Sequence, residues 1–391
     1  MLRANLSIFP AVLLMAFASA CVSTSTTFPT AKSEDVETQT TIVQAEVIAA
    51  ALDRKARIDS LAWPLLEANA ELCHARRRTA YGISFGNEKT IQTLVDGLTL
   101  EQIRAAGYDA SLKVISVSEG SPAADAGLKP GAVPIKIGET AIGSGGDGLE
   151  TALRKDKNAR AIAEKADLTA KPLPMVFEQD GTRFEIELHP ETICDVALRV
   201  TETDAVNASA GRRVININRG IITYLEDDQD LSMVIAHELA HVAGEHTRKL
   251  TRNHFASGRF VWAVPVWLGA GLVDLGFAGV LERFAGRETP PGQDFVTRLD
   301  NRALGLRDFE READYLAVYF VARAGLELEG IETVFERLSL LSPRSTYGQR
   351  THPVTPERVL ALRLARAEVD AKRAAGDSLV PEGWPFPLGE E

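Results

Sequence analysis

The segment His237-Glu238-Leu239-Ala240-His241 constrains this chain more than any other. Residues four apart lie on one face of an α-helix, so the two imidazoles can grip a single metal ion, with the Glu238 carboxylate beside it to take a proton from water. The surroundings predict that helix. Asp230 is placed to cap it, Leu231, Val234, Ile235 and Leu239 recur at helical spacing, and Gly244 marks where it weakens. The competing reading is a chance HExxH on an ordinary amphipathic helix, a rare coincidence in a chain with 7 histidines among 391 residues.

Two histidines leave a metal site incomplete, and the third ligand must come from elsewhere. The pattern HExxHxxGxxH fails here: Gly244 fits, but Thr247 stands where the third histidine belongs, and His246 comes one residue early. On a continuing helix His246 faces away from His237 and His241, as a surface residue or a support behind a ligand. Downstream, Phe309-Glu310-Arg311-Glu312-Ala313-Asp314 opens a helical run in which Glu310 and Asp314 share a face. Read by themselves, Glu310, Glu312 and Asp314 are a solvated acidic face with Arg307 and Arg311 as helical partners.

HExxH followed by ExxAD on a later helix resembles the HtpX-like gluzincin metallopeptidases, a group that includes the CAAX prenyl endopeptidases. The resemblance runs from about Cys194 to Arg366 and includes Asn207-Ala208, the strand-like Arg213-Val214-Ile215-Asn216-Ile217-Asn218, and Thr351-His352-Pro353 with Arg358 six residues after the histidine. It implies one Zn²⁺ per chain held by His237, His241 and Glu310, and Asp314 as the carboxylate that orients a ligand imidazole. Glu238 is implied as the catalytic base. His352 is implied as a fourth ligand that keeps the enzyme latent, or as a donor to the tetrahedral intermediate, with Arg358 near the same site; the alternative is an ordinary loop histidine before a helix that begins near Pro356.

The N-terminus predicts export. Arg3 precedes an apolar stretch from Leu6 to Phe17, too short for a stable span, and Ala18-Ser19-Ala20-Cys21 offers a processing site. Residues 1–20 read as a signal peptide, and small residues before Cys21 resemble a lipobox, although ordinary signal peptidase would also accept Ala18 and Ala20. Residues 21–40 read as a Ser/Thr-rich tether. With no aspartate after Cys21, the analogy points to a lipid anchor on the periplasmic side of a Gram-negative outer membrane. In that oxidising compartment a Cys73–Cys194 disulfide is the simplest reading, with two buried free thiols as the alternative.

The expected class is α+β: a mainly helical catalytic domain over residues 191–375 with a small β-sheet, preceded by a helical segment at 41–78 that Pro64 interrupts, and followed by a Pro-rich tail at 376–391. Inserted between is a mostly β module at 79–190. Its strand Leu112 to Val117, the Ser121-Pro122 helix start and a hairpin around Asp180-Gly181 are legible in the residues. Glu119 to Gly131 resembles the PDZ domains of HtrA-type proteases, which implies Tyr81-Gly82-Ile83-Ser84 as a loop for peptide C-termini. Ala132 departs from the usual aspartate, and a purely structural or regulatory module is the alternative. Residues 260–281 are apolar but broken by Pro265, Asp274 and glycines, which favours a helical hairpin or lid over a membrane span.

A net charge of −11 argues against nucleic acid as partner. Together these readings give a periplasmic zinc endopeptidase acting on unfolded or misassembled envelope proteins. The competing function is a PDZ-based binding or chaperone-like protein with a latent metal site.

Overall fold

The computed structural model describes residues 29–73, 76–138, 140–142, 172–256, 304–341 and 356–384. Cys21, His352, the signal peptide and residues 260–281 lie outside them. The chain divides into two compact units, Met1–Thr40 and Thr41–Glu391. In the first, helix is already present from Ser33, where a tether was expected. Its first turn carries Glu34 and Asp35, which suit the positive helix end, and the Thr38 and Thr40 hydroxyls bond back to carbonyls four residues earlier.

The architecture is α+β. Helix α1 (Ser33–Ala68) continues through Pro64 without interruption. An internal proline costs about 3 kcal/mol, and Trp63, Leu65 and Leu66 are buried around it, so packing outweighs the lost hydrogen bond. A 3-10 turn (Ala70–Cys73) leads to β1 (Arg77–Ala80). The chain then runs through β2 (Ile83–Gly86), α2 (Glu88–Leu94), α3 (Leu100–Ala105), β3 (Lys113–Val117), α4 (Pro122–Asp125), β4 (Val133–Ile137), β5 (Thr140–Ala141), β6 (Leu173–Gln179) and β7 (Thr182–Leu188). It returns through β8 (Glu191–Cys194), which pairs antiparallel with β1 from Arg77↔Cys194 to Ala80↔Glu191. Entry to and exit from the segment between these strands are therefore adjacent, and the Cys73–Cys194 disulfide, with Cα atoms 5.6 Å apart, ties their base.

Within that segment β2 pairs with β3, and β5-β4-β6-β7 form a second sheet. The β6–β7 hairpin turns at Asp180 (φ 51°) and Gly181 (φ 74°), the two positive values that a tight twisted hairpin requires. Phe177, Met175, Val114 and Leu188 centre one core here, and Ile48 of α1 joins Ile91, Ile103 and Ile115 in another. Asp59 of α1, held by Lys55, Ser84 and Ser116, fastens α1 to β2 and β3.

The largest core lies beyond β8. Strand β9 (Ala197–Thr201) pairs parallel with β11 (Val214–Asn218), and β10 (Ala208–Ala210) pairs antiparallel on the other side of β11. A short α5 (Arg219–Tyr224) follows, then α6 (Asp228–Ala243), α7 (His246–Ala256), α8 (Leu304–Arg323), α9 (Thr333–Leu340) and α10 (Pro356–Ala375). Helix α6 packs on β10 and β11 with one side and on α8 with another. Asp227, rather than Asp230, caps α6 through the amide of Gln229; Asp230 sits inside the first turn and takes an ion pair from Arg337. The start of the expected tail is docked: Trp384 is buried, Val380 O accepts from Lys372, and the Glu382 amide donates to Tyr315. Among the described residues no helix is long and apolar enough to cross a membrane.

Candidate metal centre

Every residue of α6 from Asp230 to Ala243 is buried. A helix enclosed on all sides belongs in a core, where Leu231, Met233, Ile235 and Leu239 serve it well, and where each polar side chain must be compensated. Besides Asp230 and Ser232 in its first turns, His237, Glu238 and His241 are the costly exceptions, at 4%, 2% and 7% exposed. For the two imidazoles the compensation comes largely from α8, which presents Glu310 and Asp314 beside fully buried Ala313 and Ala317.

The Nε2 atoms of His237 and His241 face each other at 3.1 Å, and the Glu310 carboxylate stands 3.3 Å from His241 Nε2 and 3.5 Å from His237 Nε2. Two donors bound tetrahedrally at about 2.0–2.1 Å from one ion sit about 3.3 Å apart, so the three spacings fit the edges of such a site. The donor set of two imidazoles and a carboxylate also suits a divalent ion. His237 Nδ1 lies 3.0 Å from Asp314 Oδ1, leaving Nε2 for the ion. Burial disfavours charge on both rings. At His237 the Asp314 and Glu310 carboxylates outweigh it and raise the pKa to about 9, whereas burial prevails at His241 and lowers it to about 4.

Arg358, in the first turn of α10, is 3% exposed. Its Nε and Nη2 donate to Asp314 at 2.6 and 2.7 Å, and Nη1 lies 3.1 Å from Glu310 Oε2. Burial opposes ionisation of Asp314, but Arg358, with His237, holds its carboxyl below the ordinary value. Arg358 therefore lies beside the cluster, as the resemblance implied, and backs the ligands through their carboxylates. Phe335 of α9 walls this side, its ring 5.9 Å from that of His237 and 4.9 Å from the guanidinium carbon of Arg358.

His246 departs from the expectation of a ring turned away but lies behind a candidate ligand, the second of the two places the sequence offered it. Helix α6 stops at Gly244, and Glu245 takes a left-handed φ of 52°. The chain turns back, burying His246 with Nδ1 2.8 Å from His241 Nδ1 and Nε2 3.0 Å from Glu312 Oε2. Through that contact His246 holds the Glu312 carboxyl below its usual range against burial. Sequence reasoning missed Glu312, Phe309 and Phe335; the usable signal was Gly244, which breaks the helix before the wheel can be extended to His246.

Tyr81-Gly82-Ile83-Ser84 leads into and begins β2. The Tyr81 and Gly82 carbonyls accept from Ala123 and Ser118, and Gly82 (φ 76°) leaves no room for a side chain against Ser121. These residues are placed in the β-rich segment, apart from the His237–His241–Glu310 cluster in the sequence and in their hydrogen bonding. His352 and Cys21 cannot be located among the described residues.

No curated protein matches the chain. Residues 185–366, from β7 to within α10, match the model of Peptidase family M48, which supports a metal-dependent peptidase built on α6, α8 and the start of α10.

Proposed function

We propose that this protein is a zinc-dependent endopeptidase of the HtpX-like type that cleaves unfolded or misassembled proteins of the cell envelope. One observation carries the catalytic part: both Nε2 atoms and the Glu310 carboxylate converge at tetrahedral-edge spacing, with Glu238 in the same buried turn of α6. Zinc held there supplies Lewis-acid polarisation of the scissile carbonyl and acidifies water. Glu238 accepts the proton as the water oxygen attacks the carbonyl carbon, then passes it to the leaving amine as the C–N bond breaks. Asp314 fixes the His237 ring by accepting its Nδ1 proton, and Arg358 restrains both Asp314 and Glu310 so that the ligands are set before substrate arrives. Export, the lipid anchor at Cys21 and a peptide-binding role for the PDZ-like module complete the proposal, supported by the sequence patterns described above. His352 belongs to it as a latch or as a donor to the intermediate.

The test is digestion of casein by the purified protein. Cleavage that a chelator abolishes and added zinc restores is expected, and none in Glu238→Gln. Chelator-insensitive cleavage, or full activity in that variant, would refute the proposal.

A further inference from the structure

His237 and His241 are supported differently. His237 meets a carboxylate directly, through Asp314, whereas the Nδ1 of His241 meets a second imidazole. We propose that His246 and Glu312 are positioning residues that fix the tautomer and ring orientation of His241 for metal binding, an inference that rests on the metal site proposed above.

The proton assignments close without conflict. If His241 binds through Nε2, its Nδ1 carries the proton and donates to His246 Nδ1; His246 is then protonated at Nε2 and donates to Glu312 Oε2. Each nitrogen has one role. Had His241 the opposite tautomer, its Nε2–H would point into the metal site and bar the ion.

The surroundings hold His246 to this task. Its ring stacks on Phe309, with centroids 4.7 Å apart and planes at 22°. It is 1% exposed, while the Glu312 side chain is 35% exposed and lies 3.8 Å from Lys249, so the chain of contacts runs from the metal site to the surface. Gly244 provides the space, since a Cβ there would stand 2.4 Å from His246 Nε2. The left-handed Glu245 provides the turn. A histidine packed only to fill a core would need neither a nitrogen aimed at His241 nor a carboxylate behind it.

Zinc affinity of the full chain, read by chelator competition, tests this in His246→Ala, His246→Gln and Glu312→Gln, with the imidazole N–H resonances of the zinc-loaded protein as a second readout. His246→Ala should weaken zinc binding about 10- to 100-fold and lose the slowly exchanging His241 Nδ1–H signal. His246→Gln, which keeps an acceptor, should recover part of the affinity, and Glu312→Gln should lie between it and wild type. Melting of the metal-free variants separates loss of fold from loss of positioning. Should His246→Ala fail to fold, Glu312→Gln, altered at a part-exposed site, carries the decision. Zinc affinity within twofold of wild type in every one of these variants that folds, with the N–H signal retained, would overturn the relay alone. A His237→Ala variant that binds zinc as tightly as wild type would instead sink the metal site itself.

Discussion

The centre buries three carboxylates, Glu238, Glu310 and Asp314, and loss of Glu238 should differ from loss of a ligand. Glu238→Gln removes a proton acceptor and leaves the three ligand side chains in place, so the variant should keep its metal while casein cleavage falls at least 10²-fold; a parallel loss of metal would mean that Glu238 is itself a ligand. Arg358 allows a prediction of another kind. It compensates Asp314 and Glu310 in a core position, and breaking a buried ion pair leaves charge uncompensated, at a cost of about 3–5 kcal/mol. Urea denaturation of Arg358→Met should show a loss of that order, and Arg358→Lys should recover little of it because an ammonium cannot make the paired contacts to Asp314. A shift under 1 kcal/mol would show that the pair is not what holds the ligands. At this scale the pairing of His237 with His241, and of Glu310 with Asp314, each on one helix face, was legible in the spacing, whereas Glu310 as third ligand was implied only by the family resemblance. The backing position of Arg358 was not legible, since it depends on how α10 docks against α8, which no local pattern records.

The break between α6 and α7 shows where helical reasoning runs out. Extending one helix through Gly244 turns His246 outward, while one left-handed residue, Glu245, returns it to the core. Gly244→Ala should force the His246 ring to move, with a stability loss of about 1–3 kcal/mol from overpacking and weaker zinc binding; a variant indistinguishable from wild type would show that the ring has room to spare. Elements set by local chemistry were read correctly, among them the Asp180-Gly181 hairpin and the Ser121-capped α4. The passage of α1 through Pro64 was not, because the burial of Trp63, Leu65 and Leu66 overrides propensity.

For the molecule as a whole, the β1–β8 pairing and the Cys73–Cys194 bond close off the long β-rich segment at its base, next to the 3-10 turn whose neighbour Asn69 donates to Phe320 O of α8. Removing the bond by Cys73→Ser with Cys194→Ser should cost about 2–5 kcal/mol, and thiol labelling of the denatured, unreduced protein should find neither cysteine free. Quantitative labelling at both positions would contradict the bond. The central claim is that α6 and α8 together hold one ion. Metal content per chain tests it most directly. One zinc is expected in wild type and in Glu238→Gln, with most of it lost from His237→Ala and from Glu310→Ala; a full equivalent retained in Glu310→Ala would show that the third ligand is another residue.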